Sequence, residues 1–350
     1  MVTLAALRWL ADQNAAFLML DRDGSLLTTI GPVYPSDAKL RRAQSLAAQP
    51  NVGLEIAREL ISGKLAGQQQ VVRTKLHDLS TADRIAEGRT TLLSATSLGD
   101  IRFLESQGAA FYWSAWRDLP ITFPKDLSRV PDHWRVFGTR KSPLSGSPRL
   151  AATPANSMLN YLYALLESEA RLAAAALGLD PGLGVIHVDT SARDSFACDL
   201  MEAVRPQVDS YVLEWILTQP LRREWFFEQR DENCRLMAPF AILLSQTTGV
   251  LGRAVAPVAE WVARQLWSTT RKRTHPDLPP TRLTQSHKRR AQGEHPARNS
   301  ISASTAGESL HGVWKSDRAW SDKLSEMLSF KQDAAVCECR AIGAHSRTQA

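Results

Sequence analysis

Hydrophobic positions change from strand-like runs to helical spacing within the first part of the chain. A short helical pattern over 4–11 precedes two apolar runs, 16–20 and 25–30, which are joined by the turn sequence Asp-Arg-Asp-Gly and predict a pair of strands. From 37 to 76, apolar residues recur every three or four positions, which predicts helix. Two strands cannot make a self-sufficient β domain, so this end either docks on other elements or belongs to an incomplete domain.

Helical spacing dominates the chain from there to residue 270. Predicted helices cover 81–95, 98–116, 155–177, 194–217, 235–248 and 252–270. Thr81 is the predicted N-cap of the first of these, and Arg205-Pro206 predicts a break within the fourth. Residues 117–150 contain five prolines and many polar side chains, which indicates a long loop.

The character of the chain changes again after residue 270. Residues 271–310 are polar and lack a sustained period, which predicts an exposed, disordered tail with one weak amphipathic helix near 316–330. Eight Lys or Arg against two acids in 271–300 give a surplus of six, which equals the formal net charge of +6 of the whole chain. The tail is therefore predicted to add salt-sensitive, sequence-independent affinity for a polyanionic partner.

Composition excludes several classes of protein. With 350 residues, 44% hydrophobic and 22% charged, the chain is neither a low-complexity nor a collagen-like sequence. No apolar stretch is long enough to cross a membrane, and the apolar start has the pattern of neither a signal peptide nor a span. Four scattered cysteines suit a reducing compartment, so the predicted location is the cytoplasm, with no membrane partner.

Common catalytic motifs are missing from the sequence. It has no Gly-rich phosphate loop, paired CxxC, HExxH or nucleophile elbow. One remaining candidate is Glu105, which lies between Leu104 and Gly108 within an apolar helical pattern. A partly buried acid there would need a partner or a metal, whereas the alternative is an exposed acid at the edge of the apolar stripe.

A second candidate site combines a histidine with an acid pair. Asp199 and Glu202 are three positions apart and share a helix face, and His187 precedes that helix. Carboxylate oxygens with one imidazole suit a hard divalent cation, especially Mn²⁺. The alternative is a solvated helix face and a hydrogen-bonded histidine without a metal.

An ordered set of short motifs between residues 4 and 285 links these candidates. They are Leu7-Arg8-Trp9-Leu10, Leu20-Asp21-Arg22-Asp23-Gly24, ARELISGKLAGQ at 57–68, Glu105 with Tyr112-Trp113, Pro154-Ala155-Asn156, LNYLY at 159–163, Gly178-Leu179-Asp180-Pro181, and Asp199-Leu200-Met201-Glu202 with Arg205-Pro206. Each motif alone is weak, but the set in this order resembles the CRISPR-associated spacer-acquisition integrases, the Cas-one family of DNA endonucleases.

The resemblance implies an α+β fold, in which a small N-terminal β-rich domain precedes a large all-α catalytic domain. The family normally begins with several more strands, so 1–35 is expected to be an incomplete remnant of the β domain, 36–270 the catalytic domain and 271–350 the basic tail. The resemblance further implies a homodimer that binds double-stranded DNA, both spacer precursor and CRISPR repeat, together with a small ferredoxin-like partner protein.

The metal site implied by the resemblance consists of Glu105, His187 and Glu202, with Asp199 as an accessory acid. These residues would hold Mg²⁺ or Mn²⁺ and catalyse a phosphodiester transesterification that inserts spacer DNA into the repeat array. Water in place of the attacking 3′-hydroxyl would give endonuclease activity.

Further residues are predicted to contact DNA. Arg140, Lys141 and Arg149 could bind backbone phosphates, and Tyr161 could stack on a base, with helix packing as the alternative.

Zinc is not expected at Cys337-Glu338-Cys339, because the spacing is too narrow for a tetrahedral site. Two other functions stay open: a non-catalytic DNA-binding or scaffolding relative, and a structure-specific nuclease for branched DNA.

Overall fold

Helices account for most of the residues that the computed structural model describes, which are 2–13, 15, 17–21, 26–30, 37–47, 52–124, 129–140, 150–191, 193–229 and 233–270. The helices are α1 (Leu4–Asp12), α2 (Ala38–Leu46), α3 (Val52–Val71), α4 (Leu79–Leu92), α5 (Leu98–Trp116), α6 (Pro154–Ala176), α7 (Ser195–Glu202), α8 (Arg205–Thr218), α9 (Ala238–Ser245) and α10 (Thr248–Thr269). The strands are β1 (Phe17–Leu20), β2 (Leu26–Ile30), β3 (Phe226–Glu228) and β4 (Cys234–Leu236). The predicted helical majority is confirmed, whereas the tail and its helix at 316–330 lie outside the described residues. The domain division at 35 and 270 stays a prediction.

Helix α3 lies at the centre of the packing and contacts α4, α5, α7 and α8. Its apolar stripe, including Leu60, Ile61 and Leu65, is fully buried, and each such side chain contributes about 1.5–3 kcal/mol of burial free energy. A Cβ on Gly108 of α5 would lie 2.5 Å from Leu65, and a Cβ on Gly67 would lie 2.6 Å from Pro206 of α8. Glycine at these two positions therefore lets α5 and α8 approach α3 closely.

A second layer forms around α6, which packs against α10, α7 and α8. Fifteen of its residues are buried, among them Met158, Leu162 and Leu166. The predicted helix at 155–177 is confirmed to within one residue at each end.

Strands β1 and β2 form the antiparallel hairpin that the sequence predicts, with Phe17 opposite Ile30. Strand β2 contacts α6. Because an isolated hairpin is only marginally stable in water, this contact stabilises it, in agreement with the expectation that this end docks on other elements.

A second hairpin, β3–β4, replaces part of a predicted helix. The prediction of helix from residue 235 is wrong, because Cys234–Leu236 pairs with Phe226–Glu228 and α9 begins only at Ala238. Trp225 stacks on Phe240 with ring centroids 4.4 Å apart. This aromatic packing joins a residue before the hairpin to one after it, and it is a tertiary contact that local periodicity cannot reveal.

Other boundaries also differ from the prediction. Thr81 is not an N-cap: Asp78 caps α4, and its carboxylate accepts a hydrogen bond from the backbone N–H of Thr81 at 2.9 Å. The predicted helical stretch 37–76 comprises α2, α3 and a π-helical turn that ends at His77 in the left-handed region. The break at Arg205-Pro206 is confirmed, because α7 ends at Glu202 and α8 begins at Arg205.

Within the described ranges, no helix is both long and apolar enough to span a membrane.

Candidate active site

The three residues predicted to bind metal come from different elements and line one pocket of about 330 Å³. Glu105 lies on α5, Glu202 is the last residue of α7, and His187 lies on the connector before α7. Arg102, Arg193, Ile61, Ile186, Val188 and Thr190 complete the lining. The structure thus brings together residues that are far apart in the sequence.

Lys64 of α3 joins the two carboxylates, and sequence reasoning did not select it. Its Nζ donates to Glu105 Oε1 and forms an ion pair with Glu202 Oε2 at 2.6 Å. Lys64 is only 4% exposed. Burial alone would lower the pKa of Lys64, but the negative charges of Glu202 and Glu105 hold it above its usual value. A signal was present, since Lys64 lies one turn from Leu60 on the apolar stripe, where a lysine needs an acidic partner.

Glu202 is ionised although it is almost fully buried. Burial favours the neutral acid, but Arg205, Lys64 and His187 outweigh it and lower the pKa of Glu202 to about 2. Arg205 lies 2.8 Å from Glu202 Oε1, and His187 Nε2 lies 3.9 Å from the same oxygen. Glu202 therefore carries a negative charge at neutral pH inside a cluster of positive groups.

Asp199 shapes the connector that carries His187. Its fully buried carboxylate accepts backbone hydrogen bonds from Val185 at 2.5 Å, Ile186 at 2.9 Å and His187 at 3.0 Å. His187 Nδ1 lies 2.6 Å from Asp199 Oδ1. This contact orients the ring, so that Nε2 lies 3.9 Å from Glu202 Oε1 at the pocket. Asp199 therefore holds the connector and orients His187, and its role as an accessory acid stays a prediction.

The side chains of Glu105, Glu202 and His187 are of the types that bind a divalent cation. Two carboxylates and an imidazole Nε2 are ligands that Mn²⁺ and Mg²⁺ accept. In the part of the chain that the structure describes, no three His, Cys, Asp or Glu side chains are already arranged to hold a metal ion. Instead, the ammonium of Lys64 contacts both carboxylates and balances their charge.

Comparison with known proteins identifies the family. The sequence profile described as "CRISPR associated protein Cas1" matches residues 1–240. The chain is 30% identical over 250 residues to a protein of Archaeoglobus fulgidus named CRISPR-associated endonuclease Cas1 1, covering 66% of this chain and 69% of that protein. The chain belongs to the Cas1 family.

Solved structures share the fold of this Cas1-family chain. A casposase bound to its integration product has a TM-score of 0.61 at 24% identity, and the match covers 83% of this chain and 84% of the casposase. A chain of a complex titled Cas6-RT-Cas1–Cas2 has a TM-score of 0.59 at 18% identity, over 76% of this chain and 30% of that chain. At these identities the likeness shows a common fold.

The predicted DNA-binding residues differ in their surroundings. Arg140 donates to Asn156 Oδ1 at 2.9 Å and Asn160 Oδ1 at 3.0 Å, so both terminal nitrogens of its guanidinium already have partners. Tyr161 is half-buried, and burial raises its pKa against an opposing hydrogen bond with Ser245. Lys141 and Arg149 lie outside the described residues. DNA binding by these four residues stays a prediction.

A buried acid next to the site titrates near neutral pH. Asp209 of α8 is 1% exposed and accepts a hydrogen bond from the hydroxyl of Tyr163. Burial raises the pKa of Asp209 to about 6, against the opposing effects of that hydrogen bond and of Arg140 and Arg205. The guanidinium of Arg205, which also pairs with Glu202, lies 5.0 Å from the ring centroid of Tyr163.

We expect Asp209→Asn to change how stability depends on pH. Between about pH 4 and pH 6 the folded protein retains a proton on Asp209 that the unfolded chain has lost. The stabilising effect of this proton is complete below the unfolded pKa and is lost as pH rises through about 6. Urea unfolding at pH 4 and pH 7 should show the wild type losing about 2–3 kcal/mol relative to Asp209→Asn over this range.

The exposed Asp118→Asn substitution is the matched control for this comparison, because Asp118 lies on the surface. Its free energy of unfolding should follow that of the wild type at both pH values. A difference between wild type and Asp209→Asn that stays constant from pH 4 to pH 7 would show that Asp209 does not titrate in this range.

Proposed function

We propose that this protein is a metal-dependent DNA endonuclease and integrase of CRISPR adaptation. The observation that carries the proposal is the convergence of Glu105, His187 and Glu202 on one pocket in a chain of the Cas1 family. The curated relative from Archaeoglobus fulgidus is named an endonuclease, which supports the reaction class. Glu105, Glu202 and His187 Nε2 would hold Mg²⁺ or Mn²⁺.

In the proposed reaction, the 3′-hydroxyl oxygen of spacer DNA attacks a phosphorus at the end of a repeat. A new phosphodiester bond forms, and the bond to the repeat's own 3′-oxygen breaks, so that a 3′-hydroxyl leaves. The divalent ion would stabilise the negative charge that spreads over the phosphoryl oxygens. Water as the nucleophile would give hydrolysis instead.

The surrounding residues would position the reacting groups. Asp199 fixes the orientation of His187, so that Nε2 is available as a ligand or as a proton acceptor beside the metal. Arg205 holds one oxygen of Glu202. Arg102 and Arg193 line the same pocket and provide positive charge for a DNA phosphate.

The proposed partners are a second copy of the chain, a small ferredoxin-like adaptation protein, and double-stranded DNA of the spacer precursor and the CRISPR repeat. One structural neighbour belongs to a complex whose title includes Cas2, which supports a protein partner. The proposed location is the cytoplasm.

Strand transfer tests this function directly. Purified protein is incubated with Mn²⁺ or Mg²⁺, repeat-containing duplex DNA and a short duplex with 3′-hydroxyl ends. We expect joined products, and EDTA should reduce them by at least about 10²-fold, because the ion supplies several kcal/mol of transition-state stabilisation.

Matched substrates separate the alternatives. Spacer DNA with 3′-deoxy ends should give no joined product but should still be bound. Cleavage of branched DNA without any joining would indicate a structure-specific nuclease. Binding without joining or cleavage would indicate a scaffolding protein and would contradict the proposal.

A further inference from the structure

Lys64 has two acidic partners, and both are proposed metal ligands. Its Nζ contacts Glu105 Oε1 and lies 2.6 Å from Glu202 Oε2. We propose that Lys64 is a positioning residue that holds these carboxylates together in the metal-free site and lowers the affinity of the site for a divalent cation. This inference rests on the proposed function, since it assumes that the two glutamates bind a metal.

The ammonium of Lys64 and a divalent ion compete for the same carboxylates. An ammonium has three donors and no lone pair, so Lys64 cannot serve as a metal ligand. Its Nζ contacts one oxygen of each carboxylate that would hold the metal, and its positive charge repels a divalent cation nearby. Because Arg205 lies 2.8 Å from the other oxygen of Glu202, an ion that binds this carboxylate must compete with Lys64 or Arg205 for an oxygen.

Burial explains why a cation is needed when metal is absent. The side chain of Glu202 is 3% exposed and that of Glu105 is 28% exposed. Two carboxylates on one pocket repel each other, and removing charges from water is costly unless they are paired. Lys64 compensates that cost, and a divalent cation would compensate it in the same way.

The difference in exposure between Glu105 and Glu202 also indicates how each carboxylate tolerates the loss of Lys64. Glu105 can be solvated by water when Lys64 withdraws, whereas Glu202 keeps Arg205 at 2.8 Å as a second cation. The four-carbon stem of lysine allows such movement, since its ammonium is a flexible point charge. Lys64 is thus suited to exchange with a metal.

The test compares Mn²⁺ affinity among full-length variants, measured by the loss of the free Mn²⁺ electron paramagnetic resonance signal. Lys64→Gln keeps a polar side chain but removes the charge, and we expect it to bind Mn²⁺ about tenfold tighter than wild type. Without metal it should melt several degrees lower, and Mn²⁺ should raise its melting temperature more than that of wild type.

Three further variants control for charge, packing and position. Lys64→Arg retains the positive charge and should bind Mn²⁺ no tighter than wild type. Lys64→Met is a second neutral variant for use if Lys64→Gln does not fold. Its apolar side chain matches the apolar stripe of α3. Lys75→Gln removes a lysine that pairs with Glu214 away from the pocket, and it should leave Mn²⁺ affinity unchanged.

The outcomes separate this inference from the proposed function. If wild type binds Mn²⁺ and the neutral Lys64 variants bind it equally or more weakly, Lys64 has only a structural role and the inference is overturned. If wild type does not bind Mn²⁺ at all, even with DNA present, the metal-dependent function itself fails.

Discussion

Replacing Glu202 by glutamine is expected to abolish Mn²⁺-dependent strand transfer and cleavage, with a loss of about 10²–10³-fold or more. The substitution removes the charge of a proposed metal ligand but keeps its shape. Glutamine is preferable to alanine here, because alanine would leave Arg205 and Lys64 as buried cations with one partner fewer. Initial rates of product formation at saturating Mn²⁺ would measure the effect.

At the other two proposed metal ligands, Glu105 and His187, an alanine substitution is suitable, because these side chains are more exposed than Glu202. Glu105→Ala and His187→Ala should each cause a similar loss of activity while the protein stays folded, as judged by circular dichroism. Glu87→Ala, an exposed acid on α4, is the control and should keep wild-type rates. Wild-type activity in all three site variants would refute the assignment of the site.

Asp199→Asn is expected to lower the free energy of unfolding by roughly 3–5 kcal/mol, as is typical when one partner of a buried charged cluster is removed. The carboxylate accepts four hydrogen bonds, three from backbone N–H groups and one from His187 Nδ1. An amide NH₂ at either oxygen position would face another donor. Urea unfolding measures the loss, and Mn²⁺ titration should show weaker binding because His187 loses its orientation.

Asp189→Asn provides the matched control on the same connector. Asp189 accepts one hydrogen bond, from the backbone N–H of Gly184 at 2.8 Å, and lies at the surface. We expect it to cost about 1 kcal/mol or less. Equal destabilisation by the two substitutions would contradict the special role of Asp199 in holding the connector.

The helix bounds that were predicted correctly are those fixed by residues at the ends of the helix itself. Helix α5 has the predicted bounds of 98 and 116, and its start is fixed by a capping box in which Ser97 and Asp100 satisfy each other's backbone N–H. The Thr81 prediction failed because Asp78, and not Thr81, takes the N-cap position, where its carboxylate accepts hydrogen bonds from the backbone N–H and the hydroxyl of Thr81. The choice depended on three-dimensional geometry that a residue preference does not contain.

The acids and the histidine that lie together in the structure were named from the sequence, but the lysine that pairs with two of those acids was not. Glu105, His187, Asp199 and Glu202 were implied by the resemblance that an ordered set of motifs carries, and all four lie at or beside the pocket. Lys64 was part of a quoted motif, yet its role depends on the contact between α3, α5 and α7, which no single segment specifies. The same reason explains why the β3–β4 hairpin was missed.

The close approach at Gly108 and Gly67 has a consequence for the order of folding. Lys64 and Glu105 are 41 positions apart, and Glu202 comes much later in the chain, so the charged cluster consists of non-local contacts. Closing such loops has an entropic cost that must be met before the contacts form. The charges of Lys64, Glu105 and Glu202 can leave water together only when α5 and α7 have docked on α3, so we expect the pocket to be one of the last features of the molecule to form.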